Sequence, residues 1–275
     1  MKQKRKNKGK VYALVEKIKE NKRVFAVYVT LRIIVLFSLF VAVLRGNIEN
    51  AFLCVATLIL LLVPSFIEKR FKVELPSVLE VIIMCFAFSH AILGEIGCFY
   101  VKIPWWDTML HTLNGFLCAG VGLSLIDLLN RNKRFKFELS PIYVAVVAFC
   151  FSMTIGVLWE FFEFGSDMIL STDMQKDTVL HSITSVKLDS TNSNIPITVN
   201  GIKDVALNGN SLGLGGYLDI GLIDTMKDLI VNFIGAVIFS VFGFFYIKHR
   251  GKKGKMVENF VVTPVTDKSE KKDNP

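Results

Sequence analysis

Trp105-Trp106-Asp107-Thr108-Met109-Leu110-His111-Thr112-Leu113-Asn114 opens an apolar run that continues to Ile126. Asp107, His111 and Asn114 stand at i, i+4 and i+7, so on a helix all three project from one face. The run is long enough to cross a bilayer, for which about 20 mostly apolar residues are needed. Ionisable groups inside such a segment are costly unless they are paired, hydrated or coordinated. The stretch is therefore a candidate site, and the question becomes what meets it.

The remainder of the chain has the same character. Of 275 residues, 52% are hydrophobic and 23 are Phe, and the mean hydropathy is +0.48, too apolar for a solvated globular surface. Runs able to span a membrane recur at Val24–Leu44, Ala51–Ile67, Val78–Tyr100, Thr108–Leu129, Ile142–Phe162 and Asp224–Ile247. The expected fold class is all-α, a polytopic membrane helix bundle of six transmembrane helices. Three regions follow: a basic segment 1–23, a transmembrane domain 24–247 containing an extracytoplasmic loop 171–218, and a basic tail 248–275.

The net charge of +8 raises the possibility of nucleic acid, but its distribution points elsewhere. Of 32 Lys and Arg, ten precede Val24, three lie at Lys69–Lys72, four at Arg131–Lys136 and eight follow Ile247. These are alternate connections plus both ends of the chain. The positive-inside rule then places both termini in the cytoplasm, and no charge remains that calls for nucleic acid. The expected location is a bacterial cytoplasmic membrane. Val24–Leu44 is too long for a signal-peptide core and lacks a cleavage site, so it reads as an uncleaved anchor. Val11, Leu14, Val15 and Ile18 fit a short amphipathic helix on the inner surface or a packing helix. Cys54, Cys85, Cys98, Cys118 and Cys150 all fall in the apolar runs, suit small buried side chains, and form neither a disulfide framework nor a zinc spacing.

Two further polar stripes accompany the first. Trp159-Glu160-x2-Glu163-x3-Asp167 ends the fifth span, with its acids at i, i+3 and i+7. The sixth span opens with Asp224, Asp228 and Asn232 at i, i+4 and i+8. With this topology all three stripes descend from the extracytoplasmic side. Trp105, Trp106 and Trp159 read as an interfacial aromatic belt at that level. In the third span His90 reads as a hydrogen-bonded interior residue, and His90 and Glu95, five apart, do not share a narrow α-helical face. Arg32 is expected to turn back toward the inner interface, and Pro64 to kink or end the second span. In the loop, Asn200-Gly201 between Ile197–Val199 and Ile202–Val205 is a hairpin signal. Gly209, Gly213, Gly215 and Gly216 read as a flexible approach to the last span, and Thr263–Pro275 as disordered.

The stripes Asp107-x3-His111, Trp159-Glu160-x2-Glu163 and Asp224-Thr-x2-Asp228-x6-Gly235-Ala236 resemble the YjdF-like family of bacterial inner-membrane proteins. More distantly their order resembles the VanZ-like group linked to glycopeptide resistance. The likeness runs from about Arg32 to Ile247. It supports the positions of the polar residues and implies no reaction.

The candidate site comprises Asp107, His111, Asn114, Glu160, Glu163, Asp224, Asp228 and Asn232. His111, Glu160, Glu163 and Asp228 are the candidate metal ligands, and a divalent cation is the cofactor they suggest. Three functions remain open. The pocket could bind a lipid-linked or cell-wall component, a metal there could serve a hydrolase or transferase, or the bundle could be an ion-coupled transporter. A transporter calls for a polar path onward through the inner halves of the last three spans, which are mostly apolar. Against all three stands a purely structural role, in which the acids only bond between helices or meet interfacial water.

Overall fold

The computed structural model describes residues 22–71, 73–130, 139–249 and 259–264. The expected amphipathic helix at Val11–Ile18 and the tail beyond Pro264 lie outside the described residues. Six helical stretches are long and apolar enough to cross a membrane: Val24–Leu44, Ile48–Phe71, Ser77–Ile96, Trp106–Leu129, Pro141–Leu170 and Leu222–Lys248. Their outward faces carry large apolar side chains such as Phe37, Phe52 and Phe161, which suits hydrocarbon.

The first three spans form one group. Helix α1 (Lys22–Leu44) meets α2 (Ile48–Leu60), whose N-cap Asn47 accepts a hydrogen bond from the Asn50 amide at 2.9 Å. The second span breaks after Leu60 and resumes as α3 (Val63–Phe71), with Pro64 in its first turn. A short strand β1 (Val73–Glu74) leads to α4 (Ser77–Phe88). Val35, Cys54, Leu61, Met84, Phe88 and Ile92 pack together inside this group. The Arg32 guanidinium lies over the Tyr28 ring at 4.4 Å, and its Nε is buried without a hydrogen-bond partner.

From Ser89 to Ile96 the third span changes to a π-helix, closed by a 2.9 Å bond from the Gly97 amide to the Ile92 carbonyl. Each turn here holds one residue more than an α-turn. Residues five apart therefore come much closer to a common face, which corrects the separation of His90 and Glu95 expected for an α-helix. The span ends at Ile96 rather than Tyr100, and Tyr100 belongs to a separate short helix, α5 (Phe99–Lys102). Cys98 falls in the turn between them, and it, Cys85 and Cys150 are exposed, so burial among the cysteines holds fully only for Cys54.

The second group, α6 (Trp106–Asn130), α7 (Pro141–Leu170) and α8 (Leu222–Lys248), is the tighter one. Ser140 caps α7 by accepting from the Tyr143 amide, and Pro141 follows at its first turn. This helix runs eight residues beyond the expected end, so Glu163 and Asp167 are helical. Glycine sets the approach of α6 and α8. A Cβ on Gly115 would lie 2.0 Å from the Asn232 carbonyl oxygen, and one on Gly235 would lie 2.0 Å from that of Thr112. Only glycine permits backbones so close.

Strands are confined to the connections. Strand β2 (Val179–Leu180) pairs with β7 (Tyr217–Leu218), and β3 (Ser182–Ser185) pairs antiparallel with β4 (Ile197–Asn200). The expected hairpin at Asn200-Gly201 is thus absent, because Ile197–Asn200 takes an earlier partner. The tight turn lies instead at Asn208-Gly209, between β5 (Ala206–Leu207) and β6 (Asn210–Ser211). Both residues have positive φ, 52° and 83°, as a type I′ turn requires. Strand β8 (Thr263–Pro264) pairs with β1, so the expectation of disorder fails at these two residues. Phe260 and Val261 pack beside Phe116 and Phe239, and the Val262 amide donates to Ser124 Oγ at 3.0 Å. The apolar side chains before the strand anchor it, whatever the charge around them.

Candidate functional site

The three polar stripes meet at the end of the second group that carries the long loop. His111, 8% exposed, lies between them. Its Nδ1 is 3.8 Å from Glu160 Oε1, and its Nε2 is 3.5 Å from Asp107 Oδ1 and 3.7 Å from Asp228 Oδ2. Spacing on each helix explains the convergence. Asp107 and His111 are one turn apart on α6, Glu160 and Glu163 one turn apart on α7, and Asp224 and Asp228 one turn apart on α8.

Donor atoms of His111, Glu160, Glu163 and Asp228 all lie within 4.8 Å of one another, and all four residues are buried. Asp107, Asp224 and Asp228 form a second set within the same limit. Among the described residues, no Lys or Arg forms an ion pair with these five acids. Glu160 Oε2 is buried and has no hydrogen-bond partner. Uncompensated charge in such a place is costly, so the cluster calls for protons or a cation.

The residue types are ones that could hold a metal. Four donors at about 2.0–2.2 Å from one tetrahedral ion lie about 3.4–3.6 Å apart, so binding would require the side chains to close by up to about an ångström. Three carboxylates and one imidazole suit zinc, manganese or ferrous iron.

Surrounding contacts orient the acids. Trp159 Nε1 donates to Glu163 Oε1 at 2.7 Å, which ties this half-buried tryptophan to the site. Trp106 is buried and Trp105 is exposed. The edge of the His90 ring packs on Trp159 with centroids 5.2 Å apart, and His90 Nδ1 hydrogen-bonds the Tyr100 hydroxyl. Burial, then the charges of Asp107, Glu95, Glu163 and Asp228, push the Tyr100 phenol well above its ordinary pKa, so it remains an O–H. A Cβ on Gly94 would strike the Tyr100 ring.

The loop covers the cluster. Asp224 Oδ2 accepts from the Lys176 amide at 2.7 Å, and Gln175 Nε2 donates to Thr225 Oγ1 at 2.6 Å. Asp167, third in its stripe, turns away from the acids. It accepts from the Met174 and Gln175 amides and the Thr172 hydroxyl, so it shapes the start of the loop. Asn114 and Asn232 also stand apart from the acids. Asn114 Nδ2 donates to Asn232 Oδ1 at 3.1 Å, one layer deeper, where Gly156 makes room for the Asn232 amide.

Sequence reading missed Trp159, His90, Tyr100, Gln175 and Thr225 as neighbours of the site. The i, i+4 spacing of Trp159 and Glu163 was an available signal. Nothing comparable marks the π-helical turn.

Residues 26–249 match the sequence pattern of a family described as predicted membrane protein, DUF2238. The chain belongs to this family. It is a multi-pass membrane protein by that membership and by its six long apolar helices. An uncharacterized protein of Thermotoga maritima is 31% identical over 107 residues, covering 39% of this chain and 53% of that protein. This chain therefore matches about half the length of that relative. No solved structure matches.

Proposed function

We propose that the protein holds a divalent cation at the extracytoplasmic end of its bundle through His111, Glu160, Glu163 and Asp228, and through that cation engages a phosphate-bearing lipid or cell-envelope component. The observation that carries this reading is the buried, unpartnered Glu160 Oε2 within a set of four convergent donors. An anionic headgroup placed directly against five acids would be repelled. A bound cation neutralises the acids and offers the headgroup a positive partner.

Such an ion supplies Lewis acidity toward a phosphoryl or carbonyl oxygen and a more acidic bound water, so a hydrolase or transferase is the enzyme class the site supports. The transporter reading draws less support. Below the cluster, Gly115 and Gly235 bring α6 and α8 into backbone contact, and Asn114 and Asn232 bond to each other across the bundle, which suits a blind pocket.

Metal analysis of the protein purified in detergent tests the reading. Stoichiometric zinc, manganese or iron in the wild type, lost in Glu160→Gln and in Asp228→Asn, is expected. A wild type that retains no metal and takes up none when manganese or zinc is supplied sinks the proposal.

A further inference from the structure

We infer that the pocket is built for two divalent cations bridged by the Asp228 carboxylate, one held with His111, Glu160 and Glu163 and the other with Asp107 and Asp224. This rests on the cation-binding reading above and extends it. The donors divide into two sets, each within 4.8 Å, that share one residue, Asp228. That residue is 3% exposed and sits where both sets can reach it, with Asp228 Oδ2 3.7 Å from His111 Nε2 and the Asp107 carboxyl beside it.

Charge favours more than one ion. Five ionised carboxylates around one divalent cation leave three negative charges, with His111 the one basic side chain among the described residues within ion-pair distance of them and Lys176 and Lys227 acting on Asp224 from farther off. A second ion leaves one, far closer to neutrality for a buried cluster. Asp107 and Asp224 are also among the charges acting on buried Glu160, whose Oε2 has no hydrogen-bond partner, so the two sets form one electrostatic unit. A donor in each set has an oxygen already fixed from outside: Trp159 Nε1 holds Glu163 Oε1 at 2.7 Å, and the Lys176 amide holds Asp224 Oδ2 at 2.7 Å. Outer contacts of this kind orient metal ligands.

Paired ions about 3.5–4 Å apart bind two oxygens of a tetrahedral oxyanion at once. The ligand class assigned to the pocket is accordingly a phosphate ester.

The test uses the full chain in detergent, stripped with chelator and reloaded with manganese. Two manganese ions per chain with an exchange-coupled electron paramagnetic resonance spectrum are expected. In Asp224→Asn the count should fall to one and the spectrum to an uncoupled six-line signal, with affinity at the emptied position lower by roughly 10–100-fold or more. Asp107→Asn should do the same and serves if Asp224→Asn fails to fold. One ion per chain in the wild type, unaffected by Asp224→Asn, overturns the pair while leaving the single-cation reading intact. Two ions without coupling overturn the Asp228 bridge, and no ion overturns both readings.

Discussion

Glu160→Gln should stabilise the metal-free protein, and manganese should shrink that gain or reverse it. In the metal-free protein Glu160 faces Glu163 and Asp228 with donor atoms no more than 4.8 Å apart. Two unit charges at that distance repel by about 3.5 kcal/mol at an effective dielectric of about 20. Protons taken up by the cluster remove part of this, so deleting the charge should stabilise the metal-free protein by about 1–3 kcal/mol. At roughly 2–4 °C per kcal/mol for a chain of this size class, Tm should rise by several degrees. With manganese at 100 times its Kd, the wild type gains about 2.7 kcal/mol. A variant binding 100-fold more weakly gains about 0.4 kcal/mol at the same concentration. Thermal unfolding in detergent, run with chelator and then with manganese, reads both effects. The reasoning is refuted if Glu160→Gln lowers Tm in chelator, since Glu160 would then be a satisfied structural partner.

Trp159→Phe removes the N–H that fixes Glu163 while keeping an aromatic ring against His90. A hydrogen bond to a charged acceptor contributes about 1.5–3 kcal/mol, so manganese affinity by calorimetric titration should fall roughly 10–100-fold; unchanged affinity would detach Trp159 from the site. Gly235→Ala must push α6 and α8 apart, whereas a Cβ on Gly165 meets nothing within 4 Å. The first change should cost at least about 1–3 kcal/mol and the second should stabilise by about 0.5–1 kcal/mol, as read from Tm. In the loop, the Thr191 hydroxyl and amide, with the Ser193 and Ile195 amides, hold the Asp189 carboxyl down at about 2. Its contribution should be complete above the unfolded value of about 3.9 and be lost as pH falls through about 2. Cleavage of the loop by an acid-tolerant protease should therefore accelerate across that window in the wild type, and Asp189→Asn should cleave faster at neutral pH; equal rates would refute the assignment.

The candidate site was legible where its chemistry is local. Asp107 and His111, Glu160 and Glu163, and Asp224 and Asp228 each lie one helical turn apart, and spacing alone puts each pair on one face. Asn114 and Asn232 carry the same spacing but take each other as partners a layer deeper. Spacing records the face of a helix and not what that face meets. Trp159 shows the same limit, since an outer-end tryptophan suits a lipid headgroup or a buried carboxylate equally well by composition.

Loop register was less legible, because two Asn-Gly pairs compete. Asn208-Gly209 forms the tight turn, while Asn200 ends a strand that pairs with Ser182–Ser185. A distant strand outweighed the local turn preference. The anchoring of Thr263–Pro264 likewise depends on Phe260 and Val261 finding Phe116 and Phe239, contacts that a charged tail composition conceals.

What the sequence determined by itself is the number and approximate position of the apolar helices and the polar residues on their faces. Hydrocarbon demands continuous apolar length and internal backbone bonding, and both are written along one dimension. What only the tertiary structure decided is that the stripes of α6, α7 and α8 face one another around His111, with His90 from the π-helical stretch packed on Trp159. That outcome depends on glycine contacts between backbones, and close packing between distant segments has no signature in the spacing of either segment alone.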